Sequence, residues 1–189
     1  IRLMPTHLEN PATGLLLIAE PFLGDPGFER SVILITDHNA DGTVGFILNR
    51  PLDLRIEQVL DSFPIYKPDL FYGGPVQQNN LYYLHNKGAL VPDSIEVYPG
   101  MFWGGKISAV KELLANGLME EGDIKFFLGY SGWGKDQLMG EIHEKSWMVV
   151  APTVDILATN PKTLWKELLL GLGGDYRLWA NAPSDPILN

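Results

Sequence analysis

Three stretches of this 189-residue chain combine residue types that could do chemistry. The first is Gly129-Tyr130-Ser131-Gly132-Trp133, close to the G-x-S-x-G elbow that lifts a nucleophilic serine on a sharp strand-to-helix turn. Trp133 replaces the final Gly, and the only histidine downstream is His143, on the very next helix. A serine nucleophile needs a histidine base and a carboxylate to orient it. The competing reading is a tight Gly-rich turn with Trp133 packed beneath it. The second stretch, Asp37-His38-Asn39-Ala40-Asp41-Gly42, opens like a calcium loop, with oxygen ligands at alternate positions. Position twelve, where a bidentate Glu is required, is Leu48, so an Asp-Gly hairpin turn is the better reading. In the third, Gln137, Glu141 and Glu144 fall on a single helix face, where a general base could sit. The alternative is a solvated polar face with Leu138 and Ile142 turned inward.

Further candidates stand at strand ends. Arg30 and Arg50 flank a hairpin and could grip a carboxylate or phosphate together. Pairing with Asp25, Glu29 or Asp53 is the simpler expectation. Gly73-Gly74-Pro75 could offer backbone N–H groups to an anion, but Val76-Gln77-Gln78 follows where a P-loop needs Lys. A strand-ending turn is expected there. Gly100-Met101-Phe102-Trp103-Gly104-Gly105 precedes a helix yet lacks G-x-G-x-x-G spacing, and reads as a loop. The four histidines, His7, His38, His85 and His143, contain no i, i+4 pair of the kind that binds zinc. His85 ends an apolar strand and reads as a hydrogen-bonding residue. No metal and no cofactor is expected.

The elements that must hold these residues follow from hydrophobic periodicity. Strands are expected at 14–19, at 31–36 and 44–48 (an antiparallel hairpin), at 70–72, 81–84, 95–98, 124–130 and 147–150. An amphipathic helix capped by Asp53 is expected from Ile56, Val59, Leu60 and Phe63. Others follow from Ile107, Val110, Leu113 and Leu114, stopped by Gly117, and from the segment 136–144. A last helix, opened by Asn160-Pro161, carries Leu164, Trp165, Leu168 and Leu169 and ends at Gly171. The tail from Asn181 reads as irregular. An antiparallel hairpin among intermixed helices predicts α+β architecture: one domain over 1–189, with a mixed, largely antiparallel sheet.

Composition narrows the function. There is no cysteine, which excludes disulfides and thiolate metal sites and fits a reducing compartment. Pro5, His7, Glu9, Asn10 and Pro11 interrupt any signal-like apolar run near the start. The longest stretch without charge, Leu70–Asn86, is too rich in Gly, Gln and Asn to span a membrane. A soluble cytoplasmic protein is expected. The net charge of −9 is spread along the chain without a basic block, which argues against direct binding of nucleic acid.

The set of motifs resembles the AlgH/YqgE family of bacterial proteins, from Gly14 to about Trp179. Gly14-Leu15-Leu16-Leu17-Ile18-Ala19 with Pro21, Asp25-Pro26, Phe28 and Arg30-Ser31-Val32 carry the likeness at the start. His38, Gly42, Gly45, Leu48-Asn49-Arg50-Pro51, Gly73-Gly74-Pro75-Val76 and Leu84-His85 continue it. Gly129-Tyr130, Gly132-Trp133, Gln137-Leu138, Glu141 and Trp147 complete it. The chain departs at Asp136 and Met139, where the family usually shows Gly and Glu, and at Ser131, often another small residue there. Those departures argue against a nucleophilic Ser131 and a carboxylate site on this helix. The resemblance implies a coiled, bifurcated sheet packed on helices and no established biochemical activity. One branch is named as a regulator of alginate synthesis, which implies transcriptional control.

The expectation that follows is a non-enzymatic regulatory or interaction protein with an unknown protein partner. Its surface would comprise Arg30, Ser31, His38, Asn49, Arg50, Gly73, Gly74, Pro75 and His85, adjoined by Gly132, Trp133, Gln137 and Glu141. The rivals are a small enzyme or anion binder using Arg30, Arg50 and His85 with Glu141 as base, and a regulator acting directly on DNA.

Overall fold

Unbroken apolar runs predict strands covered on both faces, and the computed structural model, which describes residues 7–21, 23 and 25–182, has them. In β1 (Leu16–Ala19), β2 (Val32–Asn39), β3 (Gly42–Ile47) and β9 (Trp147–Val150), alternate side chains enter two separate cores. Leu17, Ile33, Ile35, Ile47 and Val149 meet Leu138 and Ile142 of α2 (Gln137–His143). Leu16, Ile18, Val32, Leu34 and Val150 meet α3 (Leu164–Leu172) and α4 (Tyr176–Ala180). Each fully buried Leu or Ile contributes about 1.5–3 kcal/mol by leaving water. A third core gathers Ile56, Tyr66, Leu70, Tyr83 and Phe126 under α1 (Ile107–Ala115).

One sheet joins all of this. Its order is β6-β7-β5-β8-β3-β2-β1-β9, with β5 (Val76–His85), β6 (Ile95–Tyr98), β7 (Met101–Trp103) and β8 (Ile124–Gly134). The short β4 (Phe71–Tyr72) pairs with β8 in parallel; the other strand pairs are antiparallel. The first half of β8 pairs with β4 and β5, and its last residues, Ser131–Gly134, pair with β3. The sheet therefore divides along β8, and the α+β expectation of a bifurcated, largely antiparallel sheet holds.

Several local expectations are corrected. The helix from Asp53 shrinks to one 3-10 turn, Ile56–Gln58. Phe63 precedes Pro64, which disfavours helical backbone, and Ser62 takes φ 55°, so too few residues remain to propagate a helix. Ile56 is buried as expected, while Val59 is left exposed. The segment 100–105 is not a plain loop, because Met101–Trp103 forms β7 between two turn-forming glycine regions. Strand β5 begins at Val76, through polar and exposed Gln77–Asn80, where a register shift hides it from periodicity. The last expected helix starts at Leu164 after a turn at Asn160 and ends at Gly173, two residues late. Helix α4 was not foreseen. Of the tail from Asn181, residues 183–189 lie outside the described segment.

Candidate functional site

The clearest correction concerns Ser131. The residue stands inside β8, opposite Gly45 of β3, fully buried, and its Oγ donates to the Gly73 carbonyl at 3.0 Å. Neither an elbow nor a tight turn forms there, since the strand runs on to Gly134. The hydroxyl ties β8 to Gly73-Gly74-Pro75, which ends β4. Gly74 passes so close to β8 that a Cβ would sit 2.2 Å from the Tyr130 carbonyl carbon. These glycines serve the strand crossing, and Pro75 stays exposed beside it.

Arg30, Ser31, Asn49 and Arg50 do meet. Asn49 accepts the Val32 N–H and donates to the Arg30 carbonyl, both at 3.0 Å. This holds Arg30 at φ 54°, a left-handed conformation uncommon outside glycine. Ser31 is buried and donates to Phe28 O at 2.7 Å. The two guanidinium groups bond to backbone, not to the carboxylates expected of them. Arg30 donates to Ala182 O at 2.6 Å and stacks 4.7 Å above Trp165, and Arg50 donates to Glu29 O. Among the described residues, neither forms an ion pair.

His85 is elsewhere. It is buried at the end of β5, Nε2 2.9 Å from Gly104 O, with Nδ1 accepting the Lys87 N–H. Burial pushes its pKa down, against the Gly104 bond that supports the proton. It is the hydrogen-bonding residue the sequence suggests, and its hydrogen bonds go to Gly104 and Lys87, not to the arginines. His38 stands near the tip of the β2–β3 hairpin, Nδ1 2.7 Å from Thr43 Oγ1, beside a cavity of about 110 Å³ shared with Asp136 and Met139. The Asp37–Gly42 stretch is the expected hairpin turn, with Asn39 paired to Gly42. Exposed Gly132 borders an open groove of about 350 Å³ with Asp37, Asn39 and Tyr130.

Around α2 the pattern differs. Gln137 is exposed and accepts the Gly134 N–H, closing the turn before the helix. Glu141, expected on a solvated face, is half-buried, and among the described residues its fully buried Oε2 has no hydrogen-bond partner. Trp147 Nε1 is likewise buried and unpaired. Burial pushes the Glu141 carboxyl above its ordinary value; the charges of Glu144 and Asp25 add to this, and the indole N–H groups of Trp133 and Trp147 oppose it. Those indoles act on the carboxylate without closing a hydrogen bond of ordinary length to Oε2. Beneath it, Trp133 and Trp147 meet edge to face with ring centres 6.0 Å apart, and Phe28 caps both. Asp25 and Arg50 also bear on Tyr72, whose phenol is raised by burial, lowered by Arg50 and raised by Asp25. Trp147 also walls a cavity of about 570 Å³ with Ile142, Lys145, Tyr176 and Trp179.

The structure thus brings Trp133 and Glu141 together and adds Phe28, Tyr72 and Trp147, with Asp25 acting on the Glu141 carboxylate, none of which was singled out as a site residue; of these, Arg50 bears on Tyr72 alone. A tryptophan opening a strand was the one available signal: a buried indole N–H needs an acceptor, and Glu141 and Glu144 lie just upstream in sequence. Among the described residues, no helix is long and apolar enough to cross a membrane.

Comparison with known proteins agrees with this architecture. A family profile described as AlgH-like matches residues 16–177. A UPF0301 protein from Cytophaga hutchinsonii is 42% identical over 178 residues, covering 93% of this chain and 98% of that protein. One from Parabacteroides distasonis is 40% identical, covering 95% and 92%. Among solved structures, the AlgH protein from Pseudomonas aeruginosa superposes with TM-score 0.72 at 27% identity, over 96% of this chain and 97% of that one. A Corynebacterium diphtheriae protein shares the fold alone, with TM-score 0.78 at 21% identity over 92% and 93%. The match spans nearly all of the folded chain, from β1 into α4, and on that extent this protein belongs to the AlgH-like family.

Proposed function

We propose that this protein is a cytoplasmic regulatory or interaction protein, and that the Glu141 site receives a basic side chain from a protein partner. The observation that supports this reading is the buried, unpaired Oε2 of Glu141. A desolvated carboxylate beside two further acids, Asp25 and Glu144, is costly to keep charged. A docked Lys or Arg would offset that cost, so the free energy withheld from the free protein would appear on binding. The aromatic walls about Trp147 suit a bulky apolar residue next to the cation. The partner therefore carries a basic residue flanked by an aromatic or aliphatic one, consistent with a protein of net charge −9.

Displayed peptides test this. Selection on the full chain is expected to enrich Lys or Arg beside an apolar residue, and Glu141→Gln or Asp25→Asn is expected to cut capture at least tenfold. Equal capture by both variants would refute the reading.

Stability supplies a second readout. A carboxyl pKa raised by folding means the native state holds its proton longer than the unfolded chain does. Stability is then greatest below the ordinary glutamate value and declines as pH rises from there through the raised native value. Thermal melts of Glu141→Gln against pH are expected to lack that decline and to match or exceed wild type at pH 7.

The raised carboxyl also favours a second reading, in which Glu141 is the proton acceptor of a small enzyme. Metabolite screening by thermal shift separates the two: a small-molecule hit lost in Glu141→Gln supports chemistry, and a peptide hit supports recognition.

A further inference from the structure

We propose that Lys125 is a reactive amine in the wall of a small cavity, positioned to form an imine with a small uncharged aldehyde. This inference is independent of the Glu141 site. Lys125 is the second residue of β8 and is only 6% exposed. Its Nζ stands 3.5 Å from Leu48 O and 3.4 Å from Ile156 O, both longer than an ordinary N–H···O bond. It also lies 4.2 Å over the Phe71 ring. Among the described residues, no carboxylate comes within 4.0 Å of it. A buried ammonium with two weak acceptors and no contacting counter-charge is poorly solvated in its charged form.

Burial accordingly brings the amine down to about 8, with the more distant Asp155 supporting the proton. At pH 7.5 roughly a quarter of the amine is unprotonated, against about 0.1% for an ordinary lysine. An unprotonated, partly desolvated amine is what nucleophilic catalysis by lysine requires. The side chain borders a cavity of about 220 Å³ walled also by Tyr66, Pro68, Phe71, Glu121, Leu157 and Thr159. That volume suits a molecule of few heavy atoms. Tyr66 is committed to the Ile124 carbonyl, to which it donates at 2.9 Å, and burial raises its phenol, so it stays neutral. Glu121 and Asp155 supply negative charge around the cavity, which would repel an anionic aldehyde and leave an uncharged one free to enter.

The step balances without any oxidant or reductant. The Nζ lone pair attacks the carbonyl carbon, and the C=O π pair moves to oxygen. A proton passes from nitrogen to oxygen to give the carbinolamine, and loss of water leaves the imine. The neutral imine is cheaper to bury than the ammonium it replaces.

The test incubates the native full chain with propionaldehyde and cyanoborohydride at pH 7.5 and maps modified lysines by peptide mass spectrometry. Lys125 is expected to be alkylated at least tenfold faster than any other lysine, and glyoxylate at the same concentration is expected to modify it more slowly. The advantage should vanish in guanidinium. Lys125→Met should lose this modification alone; if that variant does not fold, the wild-type rates still decide. Alkylation of Lys125 at or below the rate of exposed lysines would overturn the proposal, leaving a residue that only ties Leu48 to Ile156.

Discussion

Gly74→Ala should lower the melting temperature by roughly 10 °C. The Cβ it introduces would stand 2.2 Å from the Tyr130 carbonyl carbon and 2.3 Å from both Tyr130 O and Ser131 N. These are backbone atoms of β8, the strand shared by both halves of the sheet, so no side chain can rotate away. Gly74 also adopts φ 153°, on the margin of backbone that L residues rarely take. Overpacking costs about 1–3 kcal/mol and sometimes more, and backbone strain adds about 1–3. A total near 3–5 kcal/mol at roughly 2–4 °C per kcal/mol gives the expected shift. Differential scanning calorimetry checks it, and a shift under about 2 °C would mean that the strands do not cross so closely.

Asn49→Ala should be nearly as damaging. The amide side chain satisfies the fully buried Val32 N–H and binds the carbonyl of Arg30, whose left-handed backbone it secures. Alanine leaves both groups without their partner. Each unsatisfied buried group costs about 1–3 kcal/mol, so about 2–5 kcal/mol is expected. The damage should be local before it is global. Hydrogen exchange at the Val32 amide should accelerate far more than at Val149, which lies in β9 on the opposite side of β1. Equal acceleration at both amides would show that Asn49 does not anchor the start of β2.

These two residues also show what could be read from sequence. Asn49 and Gly74 were marked because polar and small residues follow apolar runs, and the runs themselves announced β1, β2, β8 and β9. What spacing could not show is which residues serve the chain and which remain free. Arg30 and Arg50 were expected to meet carboxylates, yet backbone carbonyls of Ala182 and Glu29 take them. Ser131 fitted an elbow in type and neighbours, but pairing with Gly45 held its segment extended. The helix from Asp53 had the right apolar period, and the backbone limits before Pro64 overrode it.

The candidate site was legible only in part, for a geometric reason. Glu141 and Trp133 were singled out, but Asp25 and Phe28 reach the site from one loop, and Tyr72 and Trp147 from two strand ends far apart in sequence. No periodicity relates them. The burial of Glu141 depends on two tryptophans from different strands, β8 and β9, meeting beneath α2. Long-range convergence of this kind appears only once the register of the sheet is known.

The central claim is that the Oε2 of Glu141 stays buried without a hydrogen-bond partner among the described residues until a cation reaches it. Its most direct test is a carbon-13 titration of the Glu141 side-chain carboxyl, alone and with a selected basic peptide bound. The account predicts a midpoint above the ordinary glutamate range in the free protein, falling by at least one pH unit in the complex. A midpoint that bound peptide leaves unmoved would contradict it.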